Sequence, residues 1–251
     1  MNPKVISTYD PNFVLLSLAI AFVGSFIALS AARRIVNAKG QVDVIDLISA
    51  TLGLGGIGVW TMHFIGMLAL HLDVRVGYSM TETIVSLFVV CIATGFALTY
   101  VARAPSSWSR LLTAGAILGL GVGVMHYLGM YGMRFGGYIG WSIPIVAASL
   151  LIAVVAATAA LWLAFNTSSL AIRLVAAAVM AVAVCAMHYT GMSAADFVCT
   201  TDQRQLLPGG FGIISATELP KIVLLVSVGI ALVLSIDLTV QRIFATKKQH
   251  A

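Results

Sequence analysis

Long apolar runs constrain this chain more than any other feature. Seven stretches of the sequence hold few or no charged side chains, and each has the roughly 18 or more residues that a helix needs to cross a bilayer. Inside a membrane the backbone must satisfy its hydrogen bonds within each segment, so these runs predict helices. The predicted spans are 12–32, 44–70, 81–102, 111–133, 142–165, 170–193 and 219–240.

The composition agrees with a membrane location. Hydrophobic residues make up 60% of the 251 positions and charged residues only 9%, whereas a soluble domain typically has roughly 25% charged residues. A water-soluble fold is nearly excluded, and the lipid bilayer is the first expected partner. The net charge of +5 comes from Lys and Arg side chains scattered between the apolar runs. This scatter indicates membrane topology and predicts no nucleic-acid-binding patch.

The basic residues predict the orientation of the chain. Seven spans place the two termini on opposite sides, and Lys and Arg collect on the cytoplasmic side of a membrane. We expect the N-terminus outside, the C-terminus in the cytoplasm and residues 196–218 as an outside loop. The predicted inner side carries Arg33, Arg34, Lys39, Arg103, Arg110, Arg173, Arg242, Lys247 and Lys248, and the outer side carries Lys4, Arg75, Arg134, Arg204 and Lys221.

A six-residue motif occurs three times. Its pattern is Met-His-aromatic-x-Gly-Met, and the copies occupy residues 62–67, 125–130 and 187–192. The histidines are 63 and 62 residues apart, so each interval spans two predicted helices and the three copies run in the same direction. The expected fold is an all-α integral membrane protein of seven transmembrane helices: three parallel two-helix repeats plus a C-terminal helix. The repeats are about 10–71, 80–134 and 142–195, within a core of 10–195, and the last helix and basic tail occupy 219–251.

The three histidines are predicted to share one depth. The first strongly polar residue after each motif is His71, Arg134 or Asp196, and each lies eight residues beyond its histidine. At about 1.5 Å rise per residue, the imidazoles lie roughly 12 Å below that boundary. They form one layer, slightly outside the predicted midplane.

The motif offers a soft set of metal ligands. On an α-helix, a His and the Met four residues later lie about 40° apart, so an imidazole and a thioether can converge. This set suits copper, Cu(I) in particular, better than magnesium or calcium. Zinc held by three histidines and haem held by two remain alternatives, as do one shared ion and one ion per repeat. The predicted ligands are His63, Met67, His126, Met130, His188 and Met192.

Small and aromatic residues accompany the histidines. A glycine one turn after each His, such as Gly66, removes bulk next to the imidazole and lets a helix or a small ligand approach. Tyr127 and Tyr189 could donate hydrogen bonds to a ligand, although Phe64 at the same place in the first repeat favours packing. His71 is either an ordinary interfacial residue or an outer neighbour of the site. One intramembrane His can be an interhelical hydrogen bond, but three copies at one depth favour a site.

These motifs resemble the MHYT domain, a bacterial membrane sensor domain named for the string at residues 187–190. The resemblance covers about residues 10–195. It implies a bacterial inner-membrane protein that coordinates copper and senses oxygen, carbon monoxide or nitric oxide. Many relatives continue into cytoplasmic domains that make or degrade cyclic di-GMP, so an output domain is an expected partner, and this chain is either free-standing or part of a longer protein. The ligands implied are Met62, His63, Met67, Met125, His126, Met130, Met187, His188 and Met192.

Three functions fit these observations. The leading hypothesis is a sensory input domain whose metal site responds to a diatomic gas or a redox change. The alternative is a metal-ion or small-solute transporter or channel, although the sequence lacks the Pro-broken helices and buried carboxylates expected along a path. A third reading is an accessory subunit of a membrane complex. We find no motif for nucleotide cyclisation, hydrolysis or phosphoryl transfer, so no enzymatic activity is predicted, and a homodimer is one option for assembly.

Overall fold

A computed structural model describes residues 5–36, 40–167, 169–206 and 209–249, and it describes side chains as far as Ile236, apart from position 235. The described chain is mostly helical. Its helices are α1 (Pro11–Ala32), α2 (Val44–Thr51), a π-helix (Leu52–Thr61), α3 (Met62–Ala69), α4 (Met80–Ala102), α5 (Trp108–Tyr131), α6 (Ile143–Asn166), α7 (Leu170–Ser193) and α8 (Leu219–Gln249).

Within the described residues, six segments are long and apolar enough to cross a membrane. α2, the π-helix and α3 join into one span, Val44–Ala69, and α1, α4, α5, α6 and α7 form one span each. Their bounds match the first six predicted spans to within three residues. α8 lies where the seventh span was predicted, and its apolar described part is Leu219–Leu234. The expectation of a helical membrane protein is confirmed.

The six spans form a closed ring. Each span packs against the next one along the chain, and α7 packs back against α1. The motif helices α3, α5 and α7 alternate in this ring with α1, α4 and α6. α8 lies beside the first repeat, where it contacts the π-helix and α3. The three repeats are therefore arranged around a common centre, and α8 breaks their symmetry.

Short antiparallel strands lie where the motif helices end, and we call this end of the bundle the cap end. The strands are β1 (Ser7–Tyr9), β2 (Leu70–Leu72), β3 (Gly77–Ser79), β4 (Met133–Arg134), β5 (Gly137–Trp141), β6 (Ala195–Cys199) and β7 (Ile213–Ser215). β2 pairs with β1, β3 pairs with both β4 and β7, and β5 pairs with β6. The predicted all-α class omitted these strands, because segments of two to five residues carry no usable hydrophobic period. The region 196–218, expected as a loop, contains most of β6 and all of β7.

The π-helix was not anticipated by the prediction of one continuous helix over 44–70. It spans Leu52–Thr61 and ends directly before the first histidine motif. Its glycines allow unusually close packing: a β-carbon on Gly24 of α1 would overlap the backbone of Gly58. Thr61 donates a hydrogen bond to the carbonyl of Gly56, 3.0 Å away. π-helical turns inside α-helices are rare and concentrate at functional sites.

Ion pairs lie near the two ends of the spans. Arg34 pairs with Asp46 at 2.6 Å, as expected for an acidic residue near a basic loop. At the cap end, Arg134 pairs with Glu82 at 2.5 Å, and Arg204 pairs with Asp73. Several residues used in the orientation argument lie outside the described residues or side chains, namely Lys4, Lys39, Arg242, Lys247 and Lys248.

The contact between α1 and the π-helix predicts a specific weakness. Gly24→Ala should lower the free energy of unfolding by about 1–3 kcal/mol, the usual cost of overpacking. The new methyl group would meet the backbone of Gly58, which cannot rotate away as a side chain can. Gly229→Ala on α8 is the matched control, since a β-carbon there has no neighbour within 4 Å. Thermal unfolding of the two variants in detergent measures the difference. Equal melting temperatures would contradict the close packing.

Candidate metal centre

Three histidines from the three motif helices meet at the centre of the ring. His63 comes from α3, His126 from α5 and His188 from α7, and their side chains are 0%, 1% and 1% exposed. The Nδ1 atoms form a triangle: 3.1 Å from His63 to His188, 3.2 Å from His126 to His63, and 3.3 Å from His188 to His126. We call these three residues the histidine triad. Within the described residues, it is the one group of three or more potential ligands whose ligand atoms lie within 4.8 Å of one another.

Glycines set the positions of the imidazoles in a cyclic pattern. The Nε2 end of His63 lies against Gly129, that of His126 against Gly191, and that of His188 against Gly66. Each histidine therefore contacts the motif glycine of another repeat. A β-carbon at any of these glycines would overlap the imidazole, so the glycine of the motif is what allows the three rings to reach the centre.

The spacing of the triad suits a single metal ion. A point equidistant from three atoms about 3.2 Å apart lies about 1.9 Å from each, since the edge is divided by the square root of three. This is close to the roughly 2.0–2.1 Å of a zinc–imidazole bond. One ion at the centre would therefore be bound by three nitrogens with little movement of the rings.

The hydrogen-bonding pattern also points to a cation. A neutral imidazole carries one N–H, so three Nδ1 atoms that face one point cannot all form hydrogen bonds with one another. At the opposite end of the rings, the buried Nε2 atoms of His63, His126 and His188 have no hydrogen-bond partner among the described residues. An ion at the centre would accept all three Nδ1 lone pairs and would fix the remaining hydrogens on Nε2.

The geometry separates the metal alternatives. Haem does not fit between two of these histidines, because its axial ligands lie on opposite faces of a wide macrocycle while these nitrogens meet edge to edge. Structural zinc sites are almost always four-coordinate, and the described residues of the cluster supply three ligands. The site thus fits one metal ion held by three imidazole nitrogens.

The motif methionines are all buried, but in different surroundings. Met62 packs with Ala21, Ala181 and Cys185 between α1 and α7. Met187 lines a small apolar cavity, which makes packing its observed role. The other four are part of the main core. Metal ligation by Met62, Met67, Met125, Met130, Met187 and Met192 stays a prediction, and these residues are 0–2% exposed.

The aromatic residue after each histidine stands edge-on to the imidazole. The ring centroids of His126 and Tyr127 are 4.8 Å apart, and those of His188 and Tyr189 are 4.7 Å apart. Neither hydroxyl points to the triad. Tyr127 shares a hydrogen bond with Ser149 at 2.6 Å, and Tyr189 shares one with Ser17 at 2.9 Å. These tyrosines therefore orient the imidazoles and connect each motif helix to the next repeat.

The first repeat makes the same connection with a residue that sequence reasoning missed. Phe64 stands edge-on to His63 at 4.7 Å but has no hydroxyl. Trp60, one turn earlier, donates its indole N–H to the hydroxyl of Ser86 on α4 at 3.1 Å. The rings of Trp60 and Phe64 are in contact, with centroids 5.0 Å apart. The sequence held one indication of this role: Trp60, which can donate a hydrogen bond, lies one turn before the motif aromatic that lacks a hydroxyl.

His71 does not join the triad. It lies on β2 at the cap end and is exposed. Its Nδ1 is 3.2 Å from the carbonyl of Ala69. Since a carbonyl only accepts, Nδ1 carries the hydrogen, and in the neutral imidazole Nε2 then has a lone pair available.

Comparison with known proteins agrees with the motif. The sequence model of the MHYT family, described as a bacterial signalling protein N-terminal repeat, matches residues 56–114 and 119–177. These two matches contain the first two histidines of the triad. No solved structure matches the chain.

Curated relatives are bacterial signalling proteins. The chain is 39% identical over 77% of its length to the bifunctional diguanylate cyclase/cyclic di-GMP phosphodiesterase MucR of Pseudomonas aeruginosa, of which it covers 29%. It is 32% identical over 88% of its length to an uncharacterised signalling protein of Caulobacter vibrioides, of which it covers 27%. It is 32% identical over 74% of its length to the cyclic di-GMP phosphodiesterase NbdA of P. aeruginosa, of which it covers 24%. The chain thus spans less than a third of the length of these relatives.

Three copies of the motif, two matches to the repeat model and signalling proteins as relatives lead to one assignment. This chain belongs to the MHYT family of bacterial membrane signalling domains.

Proposed function

We propose that this chain is a membrane sensory input domain in which the histidine triad holds one copper ion. The observation that carries the proposal is the triangle of Nδ1 atoms, 3.1–3.3 Å on each edge and sealed from solvent. The ion responds to a diatomic gas (oxygen, carbon monoxide or nitric oxide) or to redox state. The response is passed to a cytoplasmic output such as cyclic di-GMP turnover, the activity named for two of the relatives.

An apolar cavity beside the triad supports a small uncharged signal. It has a volume of about 30 Å³ and lies before the histidines along the motif helices, with Met187 next to His188 in its wall. An apolar cavity of this size remains dry and accepts a diatomic molecule better than an ion. The cavity also argues against the transporter alternative, because an ion that left the triad on this side would enter a space lined by apolar side chains. Other walls of the cavity are formed by Leu54, Val59, Leu118, Val122, Ala153 and Val184.

The contact between the first repeat and α8 supplies a route for the signal. Thr61, two residues before His63, shares a hydrogen bond with Ser227 of α8 at 2.9 Å. One turn earlier, Ile57 packs with Ile230 and Leu234 in a separate apolar cluster. A shift of His63 on changed ligation would thus move the surface on which α8 rests. A signal arises only if the two ligation states favour different helix positions.

The proposed topology follows from the charge distribution. Seven spans, an outside N-terminus and a cytoplasmic C-terminus place the cap end outside the bacterial inner membrane and lead α8 towards the cytoplasm. The sensor core is assigned to about residues 10–195, and catalysis is assigned to output domains rather than to this chain. A homodimer remains part of the proposal for the assembled signalling protein.

The first prediction concerns metal content. The purified protein should contain about one copper ion per chain. The triple variant His63→Ala/His126→Ala/His188→Ala should contain less than about a tenth of that, because it lacks all three nitrogens proposed to bind the ion. Elemental analysis of protein purified without added metal measures both. Cys91→Ala is the control, since it removes a soft ligand on α4 and leaves the triad intact. Equal copper in the wild type and the triple variant would disprove the metal site.

The glycine contacts predict a subtler effect. Gly129→Ala places a methyl group against Nε2 of His63 and should push that ring off the centre. We expect copper affinity to fall about tenfold or more, as seen when the supports of metal ligands are lost, while helical content stays unchanged. Competition with a Cu(I) chelator measures the affinity. Gly140→Ala is the control, because a β-carbon there makes ordinary contacts at 3.7 Å, and unchanged affinity in Gly129→Ala would contradict the proposed support.

The hydrogen bond between Thr61 and Ser227 predicts an uncoupled variant. Thr61→Val keeps the shape of the side chain and removes the bond to α8, so copper content should stay at the wild-type level. The metal-dependent change in mobility of a spin label at Leu232, an exposed residue of α8, should be lost. Thr158→Val is the control, since its hydroxyl bonds only within α6, to the carbonyl of Val154. A wild-type response in Thr61→Val would show that the signal does not pass through this contact.

A further inference from the structure

Three residues with soft donor atoms line a pocket at the cap end. The pocket has a volume of about 390 Å³ and lies between α1, the end of α3, strands β2, β3 and β4, and the start of α8. Its lining residues include Met67, Met133 and His71, which together carry two thioethers and one imidazole. The other lining residues are Phe13, Leu68, Leu70, Leu72, Val74, Val76, Tyr78, Ala216, Thr217 and Pro220.

The lining favours a soft cation of low charge. Among the described residues that form the wall there is no Asp, Glu, Lys or Arg, so a hard divalent cation would find no carboxylate there. Thioethers and imidazole bind Cu(I) and similar soft monovalent ions. His71 is ready to bind, because its Nδ1 hydrogen is directed to Ala69 and its Nε2 lone pair is free.

The pocket links the surface to the triad. His71 is exposed at its outer side, whereas Met67 and Met133 are 1% and 5% exposed. Met67 follows His63 by one helical turn on nearly the same face. Tyr78 of the pocket wall contacts Phe64, with ring centroids 6.5 Å apart, and Phe64 in turn contacts His63.

The triad itself needs such an access site. Its three side chains are at most 1% exposed, and a bare cation cannot cross the surrounding apolar core without ligands. A binding site that reaches from the surface at His71 to Met67, one turn from His63, and has ligands of the same softness lowers that cost. We propose that His71, Met133 and Met67 form a transfer site that captures a soft monovalent metal ion at the cap end and hands it to the histidine triad.

The existence of the site can be tested without the triad. Ag(I) serves as the probe, since it is soft, monovalent and stable in air. Cys91, Cys185 and Cys199 are replaced by Ala in every protein of this test, because thiols bind Ag(I) more tightly than thioethers or imidazoles do. In the His63→Ala/His126→Ala/His188→Ala protein, one weak Ag(I) site per chain should remain, and adding His71→Ala and Met133→Leu should weaken it at least about tenfold. Isothermal titration of both proteins in detergent measures this. Met80→Leu, which changes a methionine that starts α4 and does not line the pocket, is the control and should leave Ag(I) binding unchanged.

The transfer role is tested by the rate of loading and rests on the proposed function of the triad. Metal-free protein with an intact triad is mixed with chelator-buffered Cu(I), and uptake is followed in time. His71→Ala/Met133→Leu should load about tenfold more slowly or worse, yet reach the same final copper content as the wild type, because the triad is unchanged.

The outcomes separate the two proposals. Absence of an Ag(I) site in the triad-free protein, or equal loading rates in the wild type and the His71→Ala/Met133→Leu variant, overturns the transfer site. A wild type that takes up no copper while the triad-free protein still binds Ag(I) at His71 and Met133 overturns the proposed function of the triad and leaves the pocket as a metal site.

Discussion

The meeting of three imidazoles at one point is the constraint on which this structure depends. Three polar rings inside an apolar bundle are costly unless their lone pairs have a common acceptor. They reach the centre only because a glycine of another repeat lies against each Nε2. Three further features bring the imidazoles together: the closed ring of six spans, the equal depth of the motifs, and the small residues between the helices. A cation at the centre would in turn hold the three repeats together.

Three departures from threefold symmetry close to the triad fall in the first repeat. It has Phe64 where the others have tyrosine, Trp60 as the hydrogen-bond donor, and a π-helix before its histidine. It is also the repeat on which α8 rests. A symmetric site has no preferred direction, whereas a signal must leave through one helix. Under the proposed function, the first repeat is therefore the part of the ring that would convert a change at a bound metal into a movement of α8.

Much of this arrangement could be predicted from the sequence. Apolar runs marked the first six spans to within three residues, because each must match the bilayer thickness, and the repeat interval gave the parallel histidines at one depth. The π-helix could not be predicted, since its glycines also suit an ordinary helix that packs closely. The cap strands are too short to show a period. The partners Ser17, Ser86 and Ser149 are ordinary residues of apolar runs, and only the tertiary structure brings them to Tyr189, Trp60 and Tyr127.

The cyclic contact between histidine and glycine has a consequence for the origin of such a domain. His63 needs Gly129, His126 needs Gly191, and His188 needs Gly66. In each two-helix unit, the histidine therefore contacts the glycine of a second unit, and the glycine contacts the histidine of the third. An ancestral unit of this kind could have formed the site only by assembling as a trimer, with each copy supporting the ring of its neighbour. Within one chain the three units need not be identical, and here the first is the one that α8 contacts.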